Sequence, residues 1–303
     1  MQSSLTNVAQ QLPVSNDQAR VLRQLVTHTH GSTVAQQAST RNCHTIVVCG
    51  GKGGVGRSVI ALNLAVLLSN RGGRVGLIDA SPDFGNIELL CGLNGYWNLS
   101  HVYQRCRSLD DVILSGPAGI QIISGGGCLL ADSAGSAESR IGSQLQKFEQ
   151  QLDWLVIDAS GNSSRRNLQF ALAADDALIV TTPEPTAVAE AYASVKSFAA
   201  ATGSRLGLLV NQANSAVQAQ RILDHLQRAA HSFLQVDLHR RGYVPWDRIV
   251  PASVHEQCPF AMSEFDSPAR LALTSLAQRW TRRNQQIGEN SFFERLSESL
   301  VHN

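Results

Sequence analysis

Two groups of residues in this 303-residue chain have the types and spacing to do chemistry. The first is Gly51-Lys52-Gly53-Gly54-Val55-Gly56-Arg57-Ser58, placed after the β-branched run Thr45–Cys49 and before the helical pattern Val59–Ser69. A glycine-rich turn from a buried strand into a helix lets backbone N–H groups face inward with no Cβ in the way. The helix N-terminus adds the positive end of its dipole, and the Ser58 hydroxyl can sit on Mg²⁺. Such a loop is a cradle for nucleotide phosphates. The bland alternative is an ordinary strand-to-helix turn.

The second group is Asp79 and Asp158, which close the apolar runs Val75-Gly-Leu-Ile and Trp154-Leu-Val-Ile. A carboxylate at the C-terminal end of a parallel strand, beside a phosphate loop, can hold Mg²⁺ or its waters. Aspartate also caps turns and helices, so a structural role stays open for each.

The elements that must position these groups are legible in the patterning. Further apolar runs at Ile120–Ile123, Ala177–Thr181 and Leu206–Val210, with a short Tyr243-Val244, read as strands. Helical stretches at Glu138–Gln151, Asn167–Ala174, Ala187–Ala201, Ala216–Leu234 and Arg270–Arg283 alternate with them. Strands apolar on both faces, separated by helices, predict an α/β fold with a mainly parallel, doubly wound sheet. Three parts are expected: an N-terminal extension over 1–42 with a helix around 17–28, a core over 43–285, and a tail over 286–303. In the tail, Phe292, Phe293, Leu296 and Leu300 fall on one helical face.

Composition narrows the function. With 43% hydrophobic and 16% charged residues, most of the chain should be globular. A formal net charge of +1 argues against a whole-protein grip on nucleic acid or an anionic membrane. The pairs Arg165-Arg166, Arg240-Arg241 and Arg282-Arg283 are scattered and read as solvated faces, so DNA binding is not expected. The six cysteines form no C-x-x-C pair and no zinc-type cluster, as expected of reduced thiols in a cytoplasmic protein. No signal peptide or membrane-spanning run is expected from the sequence.

The K-G-G-x-G spelling around Lys52 resembles the MinD/ParA family of P-loop ATPases, with its MinD-like (SIMIBI) P-loop NTPase fold. That resemblance implies ATP and Mg²⁺ as cofactors. It also implies a homodimer in which Lys52 reaches across to the partner's phosphates, the plain alternative being a solvated loop lysine. Asn211 matches the position that contacts adenine, where an amide can both donate and accept; an ordinary strand-end turn is the other reading. The catalytic set carried over is Lys52, Asp79, Asp83 and Asp158, with Ser58, Asp79 and Asp158 at the metal.

Three departures stand out. The loop lysine is Arg57, whose planar fork is bulkier than an ammonium. The second acid of the family's D-x-D segment is Ser81, in Asp79-Ala-Ser-Pro-Asp-Phe-Gly-Asn86, and Asp83 is a substitute constrained by Pro82. Asp158-Ala-Ser-Gly-Asn also differs from the family's second switch. ATP binding with slow or absent hydrolysis is therefore expected.

Ala173–Val188 with Ala191-Tyr192, Asn86–Leu93 and Asp17–Arg23 are similar to the flagellar-number regulators of this family, the FlhG subfamily. The resemblance implies that Asp17, Gln18, Leu22 and Arg23 dock on an FlhF-type GTPase; otherwise that helix packs on its own domain. It also implies that the C-terminal helix touches the cytoplasmic face of the inner membrane. Glu294 and Glu298 oppose Arg295 on its polar side, so anionic lipid gains little, and packing in the domain's own groove is the competing expectation. Other functions weighed are a pseudo-ATPase binding scaffold, a DNA-partitioning ATPase, and an iron–sulfur carrier. The last would need a cysteine pair that Cys128 and its neighbours do not supply.

Overall fold

Short β-branched and aliphatic runs form the strands because they can be buried on both faces. In the computed structural model these are β1 (His44–Cys49), β2 (Val75–Asp79), β3 (Ile113–Ser115), β4 (Gln121–Ile123), β5 (Trp154–Asp158), β6 (Asp176–Thr181), β7 (Leu206–Ala213) and β8 (His239–Pro245). They make one eight-stranded sheet in the order β3-β4-β2-β5-β1-β6-β7-β8. All neighbours are parallel except the edge pair β3–β4. The structure describes residues 43–81, 85–125, 128–129, 136–159, 164–202, 205–282 and 290–301, all within a compact unit that runs from Arg41 to Asn303. The N-terminal candidates Asp17, Gln18, Leu22 and Arg23, together with Asp83 and the Leu300 side chain, lie outside the described residues.

The helices are α1 (Arg57–Ser69), α2 (Asn86–Leu90), α3 (Leu99–Tyr103), α4 (Ser136–Gln150), α5 (Ser164–Ala173), α6 (Pro185–Thr202), α7 (Ala216–Leu234), α8 (Ile249–His255), α9 (Pro268–Arg282) and α10 (Phe292–Val301). Successive residues of one strand feed opposite layers, as the two-residue period requires. Ile46 and Val48 join Ile60, Leu64, Leu273 and Trp280 on one face of the sheet. Val47 and Cys49 join Phe148, Phe170, Phe198 and Phe292 on the other. The doubly wound, mainly parallel sheet is thus as the patterning predicts. Edge strand β3 and the short helices α2, α3 and α8 were not expected from the sequence; each has too few apolar positions to carry a period.

The C-terminal helix settles in the domain's own groove. Phe292, Phe293 and Leu296 are buried at 0%, 6% and 3% exposure, against α4 and α5. Buried Glu149 accepts from the Phe292 N–H at 2.8 Å, which satisfies an orphan donor of the first turn. Arg295 pairs with Asp175 at 3.2 Å and donates from Nε to the Ala173 carbonyl at 2.6 Å. Among the described residues, no helix is long and apolar enough to cross a membrane.

Candidate nucleotide-binding site

The glycine-rich loop leaves β1 near the middle of the sheet and runs straight into α1. Its neighbour in the sheet is β5, and β2 follows. Parallel register sets Val48 beside Asp158, and Asp158 beside Asp79, so both carboxylates end adjacent strands next to the loop. Both are fully buried. This is the strand-end acid arrangement that the spacing predicts.

Asp79 also has a local task. Its Oδ1 accepts from the Ser81 N–H and its Oδ2 from the Ile87 N–H, each at 3.0 Å. It therefore caps α2 and holds the chain that leads there. A Cβ on Gly85 would lie 3.0 Å from Oδ2, so glycine lets this turn close on the carboxylate. Ser81, at the position of the family's second acid, is buried and shows Asp79 its backbone N–H.

The loop itself has a braced side and an open side. Gly56 has φ +90, and a Cβ there would lie 2.5 Å from the Asn211 amide nitrogen. That amide donates to the Val55 carbonyl at 2.8 Å, so Asn211 ties the end of β7 to the loop. At Gly53 and Gly54 a Cβ would meet nothing within 4 Å. An open glycine edge over a rigid base fits a phosphate chain. Ser58 lies in the first turn of α1. Among the described residues no three acidic, histidine or cysteine side chains converge as a metal site. Ser58, Asp79 and Asp158 fit Mg²⁺ only if phosphate oxygens and waters complete its shell, which is its usual preference.

Arg57 does not extend over the loop as the missing lysine would. Its guanidinium is buried and turns back beneath the loop, where Nη1 donates to the Gly50 carbonyl at 2.6 Å. Its charge also reaches Cys49, whose thiol burial pushes up to about 12 while Arg57 pulls the other way. Lys52 is likewise engaged. Its Nζ donates to Glu184 Oε2 and, at 2.9 Å, to Thr186 Oγ1. Glu184 and Thr186 flank Pro185, which opens α6, the first-turn position that proline favours. Helix α6 presses on the loop closely enough that a Cβ on Gly51 would lie 2.5 Å from Glu190 Cβ.

The structure brings Gly51–Ser58, Asp79 and Asp158 together at adjacent strand ends, with Asn211 against the loop. Sequence reasoning missed Glu184, Thr186 and Gly85 as parts of the same assembly. The signal for the first two was the Pro183-Glu184-Pro185-Thr186 segment, whose proline fixes where α6 begins.

A protein-family model described as ParA, NUBPL iron-transfer P-loop NTPase, matches residues 41–281. The antiactivator FleN of Pseudomonas aeruginosa is 31% identical over 268 residues, 86% of this chain and 96% of FleN. The flagellum site-determining protein YlxH of Helicobacter pylori is 26% identical over 71% of this chain and 74% of YlxH. Among solved structures, the septum site-determining protein MinD of Pyrococcus horikoshii, complexed with Mg-ADP, superposes with a TM-score of 0.62 at 19% identity. That match covers 78% of this chain and 96% of MinD.

Proposed function

The chain belongs to the ParA family of P-loop NTPases, and from that premise we propose that it is an ATP-binding switch of the FleN/FlhG kind. It acts in the cytoplasm as a nucleotide-dependent homodimer that regulates flagellar number or placement. The observation that carries this reading is the open glycine edge at Gly53–Gly54 standing beside two buried strand-end aspartates in register.

In this reading the loop amides and α1 bind the phosphates, and Ser58, Asp79 and Asp158 hold Mg²⁺ and its waters. Mg²⁺, when bound, offsets phosphate charge and orients the oxygens. Asn211, tied to the Val55 carbonyl, contacts adenine in this reading. Lys52 must leave Glu184 and Thr186 to reach a partner's phosphates. Asp17, Gln18, Leu22 and Arg23 supply the contact with an FlhF-type GTPase. Membrane contact through Phe292, Phe293 and Leu296 requires α10 to leave its groove first.

Hydrolysis in this reading is weak. Arg57 is engaged with Gly50, and a hydroxyl at Ser81 cannot take the place of a carboxylate. The same two observations favour a second reading, a pseudo-ATPase whose output is binding alone. Affinity for ATP and ADP with Mg²⁺, together with steady-state phosphate release, separates the two. Micromolar or tighter ATP binding with slow release supports the switch. ATP binding with no release above background selects the scaffold, and failure to bind any nucleotide removes both.

A further inference from the structure

Away from the glycine-rich loop, two helix ends meet back to back. Helix α2 is capped at its C-terminal end by Cys91, followed by Gly92 at φ +64. Helix α8 is followed by Glu256, then Gln257 at φ +52, then Cys258, whose N–H donates to the Ser253 carbonyl at 3.0 Å. The two left-handed turns touch: a Cβ on Gly92 would lie 3.5 Å from the Gln257 Cβ. Each turn therefore carries a cysteine beside its contact residue, and both thiols are free. Leu90 and Cys258 also line one small cleft with Val59 and Val254. Cys258 is exposed and Cys91 half-buried. Burial pushes the Cys91 thiol up to about 12, and the charge of Cys258 adds to the rise.

We propose that Cys91 and Cys258 are a dithiol–disulfide pair, which a small-molecule disulfide such as oxidised glutathione converts into a cross-link between the ends of α2 and α8. The exposed Cys258 gives its proton to solvent, and its thiolate attacks one sulfur of the small disulfide. The S–S bond of that molecule breaks, and one small thiol leaves after taking a proton. Cys91, kept protonated by burial, is the resolving group. Once deprotonated, it attacks Cys258 Sγ, the mixed disulfide breaks, and the second small thiol departs. Two protein thiols lose two electrons and two protons, and the small disulfide gains both.

The cross-link has a route to the candidate site. Helix α2 is a single short turn whose opening N–H, on Ile87, is held by Asp79. Fixing its far end at Cys91 therefore restrains the segment that Asp79 caps. Any effect on Mg²⁺ or ATP rests on the proposed function, whereas the cross-link does not.

The test uses the full chain treated with oxidised glutathione, followed by alkylation and peptide mass mapping. Hydrogen exchange of residues 86–90 is followed on the same sample without nucleotide. A Cys91–Cys258 linked peptide is expected, absent from Cys258→Ser, with exposed Cys106 as the reactivity reference. Exchange of the α2 amides should slow about tenfold and recover on reduction. Glutathione adducts on Cys258 and Cys106 without the linked peptide overturn the pairing. A linked peptide with unchanged exchange at 86–90 overturns the restraint. Neither readout involves nucleotide, so loss of ATP binding is a separate result.

Discussion

The Lys52 ammonium, at the head of the glycine-rich loop, is held by the Glu184 carboxylate 132 positions further along the chain, with Thr186 as its second partner. The side chains are 33% and 63% exposed, so water screens the pair and its worth is about 0.5 kcal/mol. A contact that weak adds little to folding but competes directly with any other use of Lys52. Glu184→Gln should leave the urea midpoint unchanged and, with one lysine released per subunit, strengthen ATP-dependent self-association about fivefold, read by analytical ultracentrifugation. Lys52→Ala should abolish that association. An unchanged association constant in Glu184→Gln would show that the pair is no latch.

Arg57 and Ser81 set the second expectation. Replacing both with the residues their positions call for, in Arg57→Lys with Ser81→Asp, should raise steady-state phosphate release at least about tenfold over the unmodified protein. Arg57→Lys alone also frees the Gly50 carbonyl, so a modest loss of thermal stability should accompany it. Equal release by both proteins would mean that neither departure limits turnover.

Gly56 offers a probe of loop geometry. At φ +90, with the Asn211 amide 2.5 Å from where a Cβ would sit, Gly56→Ala meets both backbone strain and a clash. A loss of about 2 kcal/mol in urea unfolding is expected, with loss of nucleotide affinity. Gly53→Ala, in open space, should cost less in stability and still weaken binding if phosphate occupies that edge.

Acid sensitivity should centre on Asp176. Burial pushes its carboxyl up, yet the His44 hydrogen bond, the Arg241 charge and the Trp280 N–H together hold it below the ordinary range. Because the unfolded chain binds this proton at higher pH than the native state does, stability falls as the pH falls. The contribution is complete above the ordinary carboxylate range and is lost as pH drops through the lower native value. Asp176→Asn should cost about 3 kcal/mol near neutrality by removing the buried charge that Arg241 and His44 share. Its urea midpoint should converge on that of the unmodified protein as the pH drops below the ordinary carboxylate range.

For the C-terminal helix, Phe292→Ala should destabilise by about 3 kcal/mol, since its ring is fully buried and stacks at 6.5 Å on Phe170. Glu149→Ala removes the acceptor of the first-turn N–H groups and should increase co-sedimentation with anionic vesicles. If neither ATP nor Glu149→Ala produces vesicle binding, the helix is a packing element only.

The sheet was readable because strands such as Ile46–Val48 and Trp154–Asp158 are apolar on both faces, a signal that survives without partners. The site was readable where one local spacing decides the geometry, as in Gly51–Ser58. What escaped depends on distant chain segments. Nothing local says that Asn211 braces Val55, that Glu184 holds Lys52, or that Arg57 turns back to Gly50. The tail shows the same limit. Its amphipathic face was plain, but the groove that receives it is made by α4 and α5, far upstream, with Phe170 against Phe292.

Helix α1 is buried at every position from Ile60 to Leu68, wedged between the sheet and α9, with the Asn63 side chain accepting from the Ala261 N–H at 2.8 Å. It cannot slide or rotate without tearing two layers of packing, a far greater cost than loosening a turn. The loop at its head is therefore a stationary post. A nucleotide arriving there would find its phosphates fixed in place, and its presence could be announced only by the lighter parts around the post. Those are the turn that Asp79 caps on one flank, and the Lys52–Glu184 tether to α6 on the other.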